Sequence, residues 1–153
     1  MFNFTVLAIG QLKENHYQKM WAEYEKRLRP YARLKIIEFP AVSFAKNNQN
    51  QAKEIEGQRI LDYLEKEEAH QPVYLLAERG QTFTSLKFAT WLEKNESLVF
   101  VLGGTLGFSE KLYKKYPQIS LSPLTFPHEL ARVIFIEQIY RAATILRKKE
   151  YHY

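Results

Sequence analysis

Two segments rich in glycine or proline hold most of the groups that could bind a ligand. In the first, VFVLGGTLGFS, an apolar run leads directly into Gly103 and Gly104. Glycines at this point would let a ligand approach the main chain closely, because no Cβ obstructs it. The segment lacks the GxGxxG spacing of dinucleotide-binding loops and the GK[ST] ending of phosphate-binding loops. It indicates either a ligand-contacting loop of another kind or an ordinary strand-to-helix turn.

The second segment, ISLSPLTFPHEL, is an apolar loop that Pro123 and Pro127 stiffen. Ser122 and Thr125 add hydroxyl groups to it. Its apolar members are Leu121, Leu124 and Phe126. Carbonyls and amides held rigidly beside such side chains would suit a flat, partly polar ligand such as an adenine ring. The alternative is a rigid connection into the following helix.

Several other kinds of chemistry have no support in the sequence. His128 begins HEL, which does not continue to the second histidine of a zinc-binding HExxH motif. This histidine is then either a helix cap or surface residue, or a catalytic residue. No GxSxG elbow is present. The chain has no cysteine and only one aspartate, Asp62. These absences disfavour thiolate metal sites, cysteine nucleophiles and paired-aspartate magnesium sites, and we expect no metal.

The elements that must position these loops follow from the hydrophobic pattern. Strands are predicted at 2–9, 34–39, 73–77, 98–102 and 119–121. Helices are predicted at 15–28, 52–67, from Thr84 or Ser85 to 94, after a Ser109 cap, and at 128–148. Residues 78–83 are predicted to turn around Gly80. The alternation predicts one α/β domain over residues 1–153, a mostly parallel sheet flanked by helices, with ligands bound beyond the carboxyl ends of the strands.

The apolar residues of two predicted helices indicate which of their faces are buried. The helix at 52–67 is predicted to bury Ile55, Ile60, Leu61 and Leu64. The final helix is apolar on nearly every side, so it must be covered on every side. It either fills the centre of the core or packs against a second subunit, and we expect a homodimer.

Net charge and composition limit which partners and which cell compartment are expected. The 153 residues carry a formal net charge of +5, which suits RNA or DNA as a partner. The candidate contacts form a basic edge, defined as Lys26, Arg27, Arg29 and Arg33. A solvated helix face is the alternative. No apolar run approaches the length of a membrane span, no secretion signal is evident and cysteine is absent, so we expect a cytoplasmic protein without a membrane partner.

Taken together, the motifs identify a family. The stretches FVLGGTLGFS, SLSPLTFPHELARVIFIEQIYRAATILRKKEYHY, TVLAIGQLKE, AEYEKRLRPY and EIEGQRIL closely resemble the bacterial rRNA large subunit methyltransferase H family over essentially the whole chain. The resemblance implies a minimal SPOUT fold with a C-terminal trefoil knot, acting as a homodimer. It implies methylation of N3 of a pseudouridine in 23S rRNA of the assembled large subunit or ribosome, with S-adenosyl-L-methionine as donor.

The resemblance also implies site residues. The cofactor pocket would use Leu76, Gly103, Gly104 and the loop of Leu121, Ser122, Pro123, Leu124, Thr125 and Phe126. Near the active site it implies His128, Arg141, Tyr151 and His152. A basic residue commonly follows YH in the family, whereas this chain has Tyr153.

The implied roles leave alternatives open. His128 or His152 would receive the imide proton of the target nitrogen or would hold the base edge. Arg141 would stabilise the developing anion or bind a phosphate. Two other functions compete: a SPOUT methyltransferase acting on another RNA such as tRNA, and a ribosome-binding module without catalysis.

Overall fold

Strands and helices alternate along the chain, as the hydrophobic pattern predicts. The computed structural model describes residues 1–67 and 70–151. The strands in that part are β1 (Phe2–Ile9), β2 (Ala32–Phe39), β3 (Val73–Thr82), β4 (Ser97–Leu102) and β5 (Gln118–Ser120). The helices are α1 (Asn15–Leu28), α2 (Gln49–Glu67), α3 (Ser85–Glu93), α4 (Glu110–Lys115) and α5 (His128–Leu146).

The strands form one parallel sheet in the order β2–β1–β4–β3–β5. Alternate residues of a strand face opposite sides, so each central strand serves two cores. In β4, Phe100 packs with α1, α3 and α5, whereas Val99 and Val101 pack with α2 and α4. Helices therefore cover both faces, and the predicted α/β class is confirmed.

The turn predicted around Gly80 is wrong, because β3 continues through it. The strand pairs with β4 as far as Leu76, then shifts its register and pairs with β5 through Gln81 and Thr82. A Cβ on Gly80 would lie 2.5 Å from the carbonyl carbon of Ile119, so the glycine permits this close approach of the two strands. The pairing partner that extends β3 lies about forty residues later in the chain, beyond the reach of a local pattern.

Two details of α2 differ from the prediction. The helix begins at Gln49 rather than at Ala52. Ile55, predicted to be buried, is 39% exposed, whereas Ile60, Leu61 and Leu64 are buried as predicted. The spacing places Ile55 at the rim of the apolar face, where neither the sheet nor α4 covers it.

Helix α5 packs against the sheet between α1 and α3. Its inner side is core, with Phe135 and Ile136 almost fully buried. The residues on its other side are half-buried and include Leu130, Ile134 and Gln138. The helix ends at Leu146, just before Lys148 takes a left-handed φ of 51°. In the described residues no helix has both the length and the apolar character needed to cross a membrane.

Candidate functional site

A cavity of 520 Å³ opens at the carboxyl ends of β4 and β5 and beside the part of β3 where its pairing with β4 stops. This size lies within the range of small-molecule sites, and the position is where parallel sheets bind ligands. Of the predicted cofactor-binding residues, the cavity is lined by Leu76, Gly103, Gly104, Leu121, Ser122, Leu124, Thr125 and Phe126. Pro123 belongs to the same loop but is exposed and does not line the cavity. The structure thus brings residues from three separate segments to one place.

One wall is the 121–126 loop, and buried Ser120 at the end of β5 holds it. The Ser120 hydroxyl lies 2.9 Å from the carbonyl oxygen of Ser122 and accepts a hydrogen bond from the Ser122 amide at 3.1 Å. The same hydroxyl lies 3.0 Å from the carbonyl oxygen of Glu78 on β3. The Ser122 hydroxyl in turn accepts from the Leu124 amide at 3.0 Å. These local bonds fix the main chain of the loop and join it to β3.

The opposite wall is a tight turn built by glycines. The Gly107 amide donates to the Gly104 carbonyl at 3.1 Å, and Gly107 has a φ of 73°. A Cβ on Gly104 would lie 2.9 Å from Cγ2 of Ile9 on β1. A Cβ on Gly103 would lie 3.3 Å from the ring of Phe108. Both glycines therefore permit close packing within the protein, in addition to lining the cavity.

His128 lines the cavity from the first turn of α5. Its Nδ1 lies 3.5 Å from the Thr105 hydroxyl, which comes from the glycine turn. The next residue, Glu129, accepts hydrogen bonds from the amides of Lys13 and Glu14 at the start of α1. The imidazole is thus held at the rim of the cavity by an anchored helix end.

Buried Arg132 anchors the same helix end to β1 and β2. Its guanidinium donates to the Gly10 carbonyl at 3.1 Å and to Glu38 at 2.5 Å, and it lies over the Trp21 ring. Arg132 is 3% exposed and Glu38 32%, so loss of the Glu38 carboxylate would leave a buried guanidinium without its charged partner. The position of His128 is therefore tied to the core of the fold.

Arg141 and Tyr151 lie in a second cluster, centred on Glu137. One oxygen of the Glu137 carboxylate accepts from Nε and Nη2 of Arg141, at 3.1 and 2.7 Å, and from the Tyr151 hydroxyl at 3.0 Å. The Tyr24 and Tyr151 hydroxyls are 3.4 Å apart, and the Tyr140 ring packs edge-on against Tyr151. Burial and the hydrogen bonds with Tyr24 and Glu137 raise the pKa of Tyr151 well above its ordinary value. Tyr151 is therefore a protonated donor at neutral pH.

The two clusters do not meet within one protomer. Arg141 follows His128 by thirteen residues on the same helix, which corresponds to about 20 Å along its axis. The expectation that His128, Arg141 and Tyr151 lie near one another therefore does not hold for a single chain. His152, the fourth predicted member, and Tyr153 lie outside the described residues.

The basic edge adjoins this second cluster. Arg27 forms an ion pair with Glu23 at 2.7 Å and lies over the rings of Tyr24 and Tyr140. The other members, Lys26, Arg29 and Arg33, are exposed. The charges of Lys26, Arg29 and Arg33 are thus available to a polyanion, and the role of the edge as an RNA contact stays a prediction.

Sequence reasoning missed several residues of both clusters. Glu78, Thr105 and Ser120 line the cavity, and Glu137 organises the other cluster. Glu78 follows a predicted strand directly, so the rule that ligands gather beyond strand ends would have included it. Glu137 precedes Arg141 by four residues, a helical ion-pair spacing that the sequence displays. Ser120 had no such signal. In residues 1–67 and 70–151, no group of three or more potential ligating side chains could hold a metal ion.

Comparison of the sequence with known proteins assigns the chain to a family. Residues 2–152 match the family model described as "Predicted SPOUT methyltransferase". The chain belongs to the SPOUT methyltransferase family. Curated relatives named ribosomal RNA large subunit methyltransferase H include a protein from Kosmotoga olearia, 38% identical over 99% of both chains. Others come from Flavobacterium johnsoniae, 40% identical over 99% of both chains, and Gloeobacter violaceus, 41% identical over 97% of both chains.

The SPOUT assignment agrees with the parallel sheet and its flanking helices. It confirms the family indicated by the sequence motifs and makes the chain a methyltransferase. The trefoil knot that the resemblance implies stays a prediction. The same holds for the individual site residues.

Proposed function

We propose that the protein transfers a methyl group from S-adenosyl-L-methionine to N3 of a pseudouridine in 23S rRNA of the assembled large subunit. The observation that carries this proposal is the 520 Å³ cavity, which assembles from the segments that the resemblance implies for the cofactor pocket. The relatives' names supply the substrate class. An rRNA substrate in an assembled particle also supports a cytoplasmic location, which is part of the proposal.

The residues present fit the methyl donor. Apolar side chains of Leu76, Leu121 and Phe126 line the cavity and offer surfaces against which an adenine ring can pack. The 121–126 loop adds main-chain polar groups that are held in place by Ser120. A site of mainly apolar walls with a few fixed polar groups is typical of small-molecule recognition.

The chain's own residues would do three things during the reaction. S-adenosyl-L-methionine, when bound, supplies an activated methyl group, so the protein chiefly has to align the acceptor nitrogen with it. His128, at the rim of the cavity, would accept the imide proton or hold the base edge. Arg141 would stabilise the anion that develops on the base or bind a phosphate.

A second copy of the chain would bring the two clusters together. Arg141 lies too far along α5 to reach its own cavity, and Tyr151, beyond the end of α5, contacts Arg141, so the active form we propose is a homodimer. The half-buried side of α5 supports this, because Ile134 and Gln138 there line a second cavity of 280 Å³. That cavity shares Leu121 and Phe126 with the first, so a partner packed on this face would also border the donor site.

The proposal is tested by methylation of ribosomes, free large subunits and naked rRNA from a strain that lacks this protein, with labelled donor. We expect label in the assembled particles, and mass mapping of RNA fragments should place it on a pseudouridine. Label in tRNA alone would contradict the rRNA assignment. Absence of both label and donor binding would leave a ribosome-binding module as the explanation.

A further inference from the structure

The residues that line the donor cavity include one with an acidic side chain. Of its lining residues, all of which lie in the described part of the chain, Glu78 alone has an acidic side chain, and none is lysine or arginine. His128 is the one other titratable residue among them. The lining therefore carries one formal negative charge, with no lysine or arginine to balance it.

The main chain at Glu78 is fixed without help from its side chain. Glu78 lies in the part of β3 where pairing passes from β4 to β5, between Leu76 and Gln81. Its carbonyl oxygen lies 3.0 Å from the Ser120 hydroxyl. A substitution of the side chain leaves this contact available, so it changes the charge of the cavity without removing a wall.

The neighbouring cation does not neutralise Glu78. The Arg79 guanidinium stacks on the Tyr113 ring, 3.6 Å from its centroid, and lies 3.8 Å from the Glu110 carboxylate. Successive residues of a strand face opposite sides of the sheet, which accounts for the separation of Glu78 from Arg79. The Arg79 guanidinium therefore interacts with Tyr113 and Glu110.

We propose that the Glu78 carboxylate makes the cavity prefer the positively charged methyl donor to its neutral product. This inference rests on the proposed use of S-adenosyl-L-methionine. Transfer of the methyl group to N3, with loss of the N3 proton to a base, converts the donor's sulfonium into an uncharged thioether. Donor and product are otherwise the same in their adenine, ribose and amino-acid groups. A carboxylate near the sulfur would attract the sulfonium, which the donor has and the product lacks, and so would favour release of the spent product.

The test is calorimetric titration of the purified full-length protein with S-adenosyl-L-methionine and with S-adenosyl-L-homocysteine. For Glu78→Gln we expect affinity for the donor to fall about tenfold, which corresponds to ~1.4 kcal/mol. Affinity for the product should change by no more than about twofold, since it lacks the charge that the carboxylate attracts. Glu78→Asp restores the charge and should recover most of the preference. Glu54→Gln, an equal charge change on the exposed side of α2, is the matched control.

Each outcome decides the matter. An equal loss for donor and product would mean that Glu78 contacts a group that both share, and it would overturn the inference while leaving the donor assignment intact. An unchanged donor affinity in a folded Glu78→Gln variant would also overturn it. If the wild-type protein binds neither compound, the proposed donor itself is wrong. Added salt should reduce the preference of the wild type but not that of Glu78→Gln.

Discussion

Replacement of Glu137 by alanine tests whether the second cluster is organised by one carboxylate. The change removes the acceptor of four hydrogen bonds: two from Arg141 and one from Tyr151 on one oxygen, and one from Gln138 on the other. It also leaves the Arg141 guanidinium without its partner in a partly covered site, where the side chains of Arg141 and Glu137 are 28% and 15% exposed. Both consequences favour the unfolded chain.

The magnitude follows from the geometry. A hydrogen bond to a charged group contributes about 1.5–3 kcal/mol, whereas an exposed helical ion pair contributes about 0.3–0.5 kcal/mol. The three donors share one oxygen and the site is partly covered, so we expect Glu137→Ala to cost ~2 kcal/mol. Glu137→Gln keeps an acceptor oxygen but loses the charge, and we expect it to cost ~1 kcal/mol.

The measurement is urea unfolding at one protein concentration, because any association adds to apparent stability. The matched control is Glu23→Ala, which breaks an ion pair with Arg27 of the same spacing and the same 2.7 Å contact, but at 50% and 43% exposure. A double-mutant cycle of Glu137→Ala with Tyr151→Phe should give a coupling energy of about 1 kcal/mol. If Glu137→Ala costs no more than Glu23→Ala, the cluster is not organised as we argue.

Three further predictions concern the core, a buried acid and the substrate surface. Ile136→Asp should prevent folding, because Ile136 is 1% exposed and packs against the sheet. Ile134→Asp, on the half-buried side of α5, should leave a folded chain that sediments as a monomer. A dimeric Ile134→Asp variant would argue against an interface there. Burial raises the pKa of Glu56 above its ordinary 4.5, so the folded state favours the protonated side chain. The stability of the protein should therefore fall as the pH rises through the pKa of Glu56 in the folded state. Glu56→Gln should flatten that decline in thermal unfolding measured from pH 4 to 7. Removal of the basic-edge charges should weaken methylation of ribosomes and flatten its salt dependence without changing donor affinity; an unaltered salt dependence would mean that these residues do not contact phosphates. The basic-edge changes are Lys26→Ala, Arg27→Ala, Arg29→Ala and Arg33→Ala.

The order of strands and helices was readable from the sequence because it depends on local periodicity. Alternating apolar residues and helical spacing identified each element to within a few residues. Caps were readable for the same reason, since Thr84 accepts from the Lys87 amide and Ser109 from the Leu112 amide, each three residues on. The motifs around Gly103 and Pro123 indicated the family, and the carboxyl ends of the strands indicated where the cavity would be.

What lay beyond the sequence depends on residues that are distant along the chain. Whether β3 turns at Gly80 or continues is decided by pairing with β5, and whether Ile55 is buried is decided by how far α4 and the sheet extend over α2. The start of α5 shows the same limit. The sequence does not distinguish Arg132 from its helical neighbours, because its partners Gly10 and Glu38 reach it only through tertiary packing.

The division of the candidate residues into two clusters is the clearest case. His128 and Arg141 share one helix, and their spacing is plain in the sequence, yet a helix keeps them about 20 Å apart whatever their roles. Tertiary packing decided their neighbours. The glycine turn and the 121–126 loop line the same cavity as His128, whereas Arg141 lies over the Tyr151 ring, beside Tyr24 of α1. Local patterns define elements because their hydrogen bonds and spacing are local, but a site is defined by which elements the sheet order brings together.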